Sequence, residues 1–169
     1  FVPLLYLEHK ISNNNADKAP GLFWLSYLAF FTWNLISTWW IYCVDEEPIT
    51  RLVSICAPVL INPLFMAFTF NGFSKVKKRL GEKRGYFAFI IFWLTFEYIH
   101  LNWELSYPWL SLGNIFANRV EWVQWYEYTG IFGGSLWILL TNLFIFYIVN
   151  TLVNKPVHYK TKAIFNGLV

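Results

Sequence analysis

The sequence predicts an all-α protein, a multi-pass transmembrane helix bundle with four complete spans. Of its 169 residues 57% are hydrophobic and only 14% are charged, whereas soluble domains carry about 25% charged residues. The apolar residues form long uncharged stretches, and the charges collect in the segments between them. Because a chain this apolar would expose large hydrophobic patches in water, the bilayer is its simpler solvent. We therefore expect one membrane domain over residues 1–169.

The first half predicts one partial and two complete spans. Residues 1–7 look like the end of an earlier helix, and the polar segment 8–20 (EHKISNNNADKAP) predicts a loop. The first complete span is predicted at 21–43, which holds no charge, and the second at 51–74. The far end of the first span is rich in aromatic residues, as at a membrane interface: Trp39, Trp40 and Tyr42.

Pro58 and Pro63 interrupt the second predicted span. Proline inside a helix removes a backbone hydrogen bond, which neighbouring helices must compensate. A structural kink inside a bundle is the simpler interpretation. A broken helix that lines a binding site, as in transporters, is the alternative.

The second half predicts two further spans and another partial one. A basic loop is expected at 75–85, a third span at 86–103, an aromatic and acidic connection at 104–128 and a fourth span at 129–153. An apolar run begins again at 163–169. Both ends of the chain therefore look like parts of a longer membrane protein.

Charge sets the expected orientation. If the four spans alternate, the segments 8–20, 75–85 and 154–162 share one side and hold eleven of the thirteen Lys and Arg residues. The segments 44–50 and 104–128 share the other side and hold six of the ten acids. By the positive-inside rule the basic side is cytoplasmic. The basic run at 75–85 is thus a topology signal, and we expect no nucleic-acid partner.

Glu97 stands out because it lies eleven residues into the third span. At about 1.5 Å per residue it is roughly 16 Å along the helix, near the middle of a hydrocarbon core about 30 Å thick. A charge there costs about 2.5–3.5 kcal/mol, so the residue is a functional candidate. His100 and Glu104 follow at helical spacing and are expected on the same face.

This cluster allows three interpretations: a metal site, a general acid/base pair and a structural hydrogen bond. Glu97-x-x-His100 is half of a di-iron site, but the sequence holds no second such pair, so we expect no metal or other cofactor. A general acid/base pair would need a nucleophile motif beside it, which is missing. The commoner outcome is that Glu97 hydrogen-bonds a neighbouring helix or loop and fixes the outer turn.

The stretch FEYIHLNWELSYPWLSLGN, followed by YEYTGIFGGS and Asn142, resembles the membrane domain of apolipoprotein N-acyltransferase. The family pattern is an intramembrane glutamate, Pro-Trp eleven residues later, a nearby glycine and a Gly…Ser…Asn helix. Its positions here are Glu97, Pro108, Trp109, Gly113, Gly130, Ser135 and Asn142. The resemblance departs at His100, where many members carry arginine, and at Ser106, where many carry glycine.

The resemblance implies an enzyme of lipoprotein biosynthesis in the bacterial inner membrane. A cysteine thiolate takes an acyl chain from a phospholipid, and the thioester then acylates the amino group of a diacylglyceryl-cysteine lipoprotein. That cysteine belongs to a Glu-Lys-Cys triad in a nitrilase-like domain, expected in the same full-length chain and absent from this stretch. Neither Cys43 nor Cys56 has similar surroundings, so this stretch alone is predicted to be inactive.

By the same resemblance, these helices anchor the catalytic domain and position the phospholipid donor and the lipoprotein among the membrane lipids. The residues expected to position lipid or substrate are Glu97, His100, Trp103, Pro108, Trp109, Gly113, Trp125 and Tyr126. Two alternatives remain. One is a non-enzymatic membrane scaffold or lipid-binding module, and the other is a transporter fragment, suggested by the two prolines and Glu97.

Overall fold

The computed structural model describes residues 1–14, 21–104 and 107–154, and over these residues the chain is helical without a strand. The all-α prediction is therefore confirmed. The apolar run predicted at 163–169, the basic segment beyond residue 154 and Ser106 lie outside the described residues. The six α-helices are α1 (Val2–Asn14), α2 (Leu22–Thr38), α3 (Pro48–Cys56), α4 (Asn62–Leu80), α5 (Glu82–Leu101) and α6 (Tyr126–Asn154).

Within the described residues, two helical stretches are long and apolar enough to cross a membrane: Pro48–Leu80, with 33 residues, and Tyr126–Asn154, with 29. Each of the four predicted spans overlaps a helix, but α2 and α5 do not meet the same test of length and hydropathy. The four-span topology therefore stays a prediction.

The chain stays helical through both prolines of the second predicted span. Pro58 lies in a π-helical turn, Ala57–Ile61, and Pro63 follows at the start of α4, where the preceding Ile61 also has helical dihedral angles. A π turn accommodates a local break in the helical hydrogen-bond ladder. Both prolines are buried. Because every residue from 48 to 80 is helical, the stretch from α3 to α4 has no unwound segment of the kind that the broken-helix interpretation needs.

The centre of the molecule is aromatic. The rings that fill it are buried almost completely, with Trp93 at 1% exposure, and neighbouring rings meet mainly edge to face. Such packing adds about 0.5–1.5 kcal/mol per pair beyond the burial itself. The core residues include Phe70, Phe73, Phe89, Trp93 and Phe146. They bring α4, α5 and α6 together, and α5, which carries Glu97, packs against both of the other helices.

The predicted basic loop at 75–85 is wrong. Helix α4 continues to Leu80, α5 begins at Glu82, and only Gly81 lies between them. Gly81 has φ +85°, a conformation that side chains other than glycine rarely adopt. The basic residues fit at the end of α4 because cations there interact favourably with the helix dipole.

The polar loop predicted at 8–20 is also wrong in its first part, because α1 extends to Asn14. Glu8 is fully buried inside the helix bundle. Its carboxylate accepts a hydrogen bond of 2.8 Å from the Ser74 hydroxyl and forms an ion pair with Lys77, which is itself buried. A buried charge is tolerated only when it is paired and hydrogen-bonded, and this partner on α4 was not visible in the sequence pattern.

Candidate functional site

Glu97 holds the connection that follows α5. Its side chain is only 3% exposed. Oε1 accepts a hydrogen bond from the backbone N–H of Leu112 at 2.9 Å and another from the indole N–H of Trp93 at 3.1 Å. This is the structural outcome that the sequence allowed for Glu97. Its role in positioning lipid or substrate stays a prediction.

Gly113 joins the same connection to α6. Its N–H donates to the Ser135 hydroxyl at 3.0 Å, and its carbonyl accepts from the Tyr126 hydroxyl at 2.9 Å. A Cβ atom at position 113 would overlap the backbone carbonyl of Ile131. Glycine is therefore required by the close approach of the connection to α6. Three predicted site residues, Glu97, Gly113 and Tyr126, thus fix one structure, the short helical turn Leu112–Phe116.

His100 and Trp103 form a second group at the end of α5. The imidazole stacks on Phe96, with ring centroids 5.2 Å apart and an interplanar angle of 23°. The Trp103 ring lies 5.3 Å from His100 and 5.4 Å from Phe65 of α4. This pair therefore closes one end of the interface between α4 and α5.

Glu104 does not continue the helical face of Glu97 and His100, so that expectation is wrong. Helix α5 ends at Leu101, and the next residue, Asn102, turns out of the helix with φ −112°. The Asn102 side chain bonds back to the Tyr98 carbonyl at 2.7 Å and so competes with continued helix. Glu104 consequently lies beyond the helix, with an exposed side chain.

Pro108 and Trp109 form an exposed turn rather than a pocket. Pro108 begins a short 3₁₀ helix, Pro108–Leu110, and its carbonyl accepts a hydrogen bond of 2.7 Å from Asn114. The Trp109 side chain is 63% exposed and contacts Trp40, at 5.8 Å between ring centroids. The preceding Tyr107 is half-buried, and this burial raises the pKa of its hydroxyl.

Trp125 packs beside Tyr126, with their ring centroids 4.8 Å apart. Its indole N–H donates to the Trp122 carbonyl at 3.2 Å. A cavity of about 260 Å³ opens next to it, lined by Phe116, Trp122, Val123, Trp125 and Trp137. Trp125 therefore lies on the α6 side of the connection, away from the His100 group.

Two residues near the candidate site were not predicted from the sequence: Asn62 and Tyr107. Asn62 is buried in α4 and donates to the Asn34 side chain of α2 at 2.8 Å. An amide in an apolar helix is a usable signal, because burying it without a partner is costly. Tyr107 gave no such signal among so many aromatic residues. Glu97 and His100, the pair with metal-like spacing, gain no further metal-ligating residue within 1–14, 21–104 and 107–154.

Comparisons with known proteins place these features in context. The family model described as the apolipoprotein N-acyltransferase N-terminal domain matches residues 1–144. A relative from Chlorobaculum tepidum, named apolipoprotein N-acyltransferase, is 29% identical over 145 residues, which cover 85% of this chain and 25% of that protein. A relative of the same name from Geobacter metallireducens is 30% identical over 95 residues, covering 54% of this chain and 18% of that protein. No solved structure matches the chain. The chain thus spans a quarter or less of the curated relatives that it matches.

Proposed function

Because the chain belongs to the apolipoprotein N-acyltransferase N-terminal domain family, we propose that it is the membrane region of an N-acyltransferase. The enzyme transfers an acyl chain from a phospholipid to the N-terminal diacylglyceryl-cysteine of bacterial lipoproteins. The helices of this chain anchor a nitrilase-like catalytic domain of the same full-length protein. They also position the two lipid substrates at the membrane surface.

A multi-pass arrangement in the bacterial inner membrane is supported by the surface of the helices. Large apolar side chains are exposed on several helices, with Ile36 at 68%, Phe68 at 62% and Phe144 at 67% exposure. The 20 residues of α5 extend about 30 Å, which is the thickness of a typical hydrocarbon core. The basic junction of α4 and α5 then lies on the cytoplasmic side, and the connection that holds Trp109 lies on the outer side.

The hydrogen bond from Leu112 to Glu97 is the observation that carries the role of this region. It fixes the outer connection to α5, and Gly113 fixes it to α6. The exposed Trp109 turn is therefore held on a rigid base, where it can contact lipid or the catalytic domain. In the proposed reaction, a cysteine thiolate of that domain attacks an ester of the phospholipid, so that a thioester forms and a lysophospholipid leaves. The amino group of the lipoprotein then attacks the thioester, which forms an amide and releases the thiolate. Fixing both lipids near the thiolate lowers the entropic part of the barrier.

The test uses the purified full-length protein, a phospholipid with a labelled acyl chain and a diacylglyceryl-cysteine peptide. We expect the peptide to gain the mass of one acyl chain and the label. An unchanged peptide mass with folded protein would overturn the enzymatic proposal. Retained phospholipid without transfer would instead favour the non-enzymatic lipid-binding module.

A further inference from the structure

An apolar groove of about 480 Å³ runs along the interface of α4 and α5. This volume lies within the range of about 300–1,000 Å³ that is typical of small-molecule sites. The α5 side of the groove extends from Ile91 to His100, which is about 14 Å along the helix. One leaflet of a hydrocarbon core is about 15 Å thick. The groove therefore has the length of one leaflet.

The groove opens at its His100 end into a second cavity of about 390 Å³, which shares Phe65, His100 and Trp103 with it. Here and in a small adjoining cleft, several buried polar atoms have no hydrogen-bond partner within the described part of the chain. Each such atom costs about 1–3 kcal/mol if it stays unpaired. They are Asn62 Oδ1, His100 Nε2 and Trp103 Nε1. Asn62 is only 5% exposed.

The residues at this polar end restrict the chemistry of a ligand. The indole N–H of Trp103 can only donate, so its partner must be an acceptor. The carboxyl groups of Glu97 and Glu104 line the small cleft and the second cavity, respectively. Among the residues that the structure describes, no lysine or arginine lines any of the three spaces. An anionic group is therefore disfavoured next to Trp103, whereas a neutral carbonyl oxygen is suitable.

We infer that this groove binds one acyl chain of a bilayer glycerophospholipid, whose ester carbonyl accepts a hydrogen bond from Trp103. The chain lies between α4 and α5 and points toward the membrane centre, while the phosphate stays outside, beyond Glu104. The inference rests on the proposed function for the membrane setting and the outer position of the Trp103 end. The proposed lipid site lies between α4 and α5 and does not include the Trp109 turn.

The test places the full-length protein in phosphatidylcholine nanodiscs that contain phosphatidylcholine with a diazirine in one acyl chain. After illumination, mass spectrometry locates the labelled peptides. We expect labelling to concentrate on the groove side of α5, at Phe92, Thr95 and Ile99, over the exposed face of α6. Equal labelling of both surfaces would mean ordinary surrounding lipid and would overturn the inference.

Two variants and their matched controls make the test specific. Thr95 lines the groove and is exposed, so Thr95→Trp fills the groove and should reduce its labelling about fivefold, the effect expected when favourable contacts worth about 1 kcal/mol are lost. Thr141→Trp makes the same change on the exposed surface of α6 and should leave the labelling unchanged. Unreduced groove labelling in folded Thr95→Trp protein contradicts the inference.

Trp103→Phe removes the indole N–H and keeps an aromatic ring, so groove labelling should fall about fivefold, as expected for one lost hydrogen bond. Trp137→Phe on α6 is the control, because Trp137 is 61% exposed and outside the groove. Full labelling of the Trp103→Phe protein would remove the proposed carbonyl contact. Acyl transfer is measured on the same samples. Groove labelling without acyl transfer rejects the proposed function alone, and acyl transfer with uniform labelling rejects the lipid site alone.

Discussion

The backbone N–H of Leu112 donates a hydrogen bond of 2.9 Å to the carboxylate of Glu97, fifteen residues earlier in the chain. An acidic side chain in the last third of α5 thus holds the backbone of the connection that follows this helix. The indole of Trp93, one helical turn before Glu97, donates to the same oxygen atom. Because a buried N–H group without an acceptor costs about 1–3 kcal/mol, the carboxyl oxygen that pairs both groups holds the connection firmly against α5.

We expect Glu97→Leu to lower the stability of the full-length protein by about 1–3 kcal/mol, since the buried N–H groups of Leu112 and Trp93 lose their acceptor. Thermal unfolding in detergent measures the change. Glu121→Leu is the control, because the Glu121 side chain is 63% exposed. Equal melting temperatures for the Glu97→Leu and unaltered proteins would show that the bond to Leu112 contributes little.

Gly113→Ala should destabilise the protein by about 1–3 kcal/mol, because overpacking of a close contact forces the backbone to shift. The new Cβ would overlap the carbonyl of Ile131 on α6. Gly21→Ala is the matched control, since nothing lies within 4 Å of a Cβ there and its φ is −51°. The melting temperatures of the two variants are compared. A Gly113→Ala protein as stable as Gly21→Ala would mean that the connection can move away from α6 at no cost.

Lys77→Met should destabilise the helix bundle by about 3–5 kcal/mol, because it leaves the Glu8 carboxylate buried without its counter-charge. Replacing both partners, by Glu8→Leu together with Lys77→Met, should restore most of the loss. Lys75→Met is the control, since Lys75 is exposed on the same helix. Unfolding is followed in detergent for all four proteins. A double variant as unstable as the single one would assign the loss to altered packing instead of the charge.

Trp109→Ala should slow acyl transfer by the full-length protein about tenfold while the melting temperature stays unchanged, which corresponds to roughly 1.4 kcal/mol of lost transition-state stabilisation. The reason is that the indole is mostly exposed and its loss leaves the buried anchor at Glu97 intact. Trp137→Ala removes an equally exposed indole from α6 and is expected to keep full activity. Parallel loss of folded protein and activity in Trp109→Ala would reduce Trp109 to a structural role.

Two features could be predicted from the sequence because they depend on local composition: the helices, and the need of Glu97 for a hydrogen-bond partner in a neighbouring helix or loop. Apolar stretches report helices directly, and a carboxylate in such a stretch needs a partner. The partner itself could not be predicted, because it is the backbone N–H of Leu112, a group that every residue except proline carries. The pairing depends on how the connection folds back over α5, which no periodic pattern records.

For Glu8 and Lys77 the prediction from sequence was wrong about burial. Both lie in polar segments that predicted exposed loops, and each is buried because it neutralises the other across α1 and α4. A prediction from composition places every charged residue at the surface, whereas a charged residue that is paired can lie in the core. The family pattern names Gly113 as a candidate site residue, and that role stays a prediction. The contact with Ile131, which requires a glycine there, appears only in the structure.

The orientation of the helices gives the last prediction. Cys43 is an exposed free thiol at the end of the turn that follows α2, close to the acidic residues 45–47. Lys78 is exposed near the end of α4, in the basic run. In the proposed four-span topology, oriented by the positive-inside rule, we expect these two positions on opposite sides of the membrane. A membrane-impermeant maleimide should therefore label Cys43 in spheroplasts, and should label Lys78→Cys only after the membrane is permeabilised. Mass spectrometry of the two peptides separates the sites, and labelling of both before permeabilisation would contradict the four-span topology and its orientation.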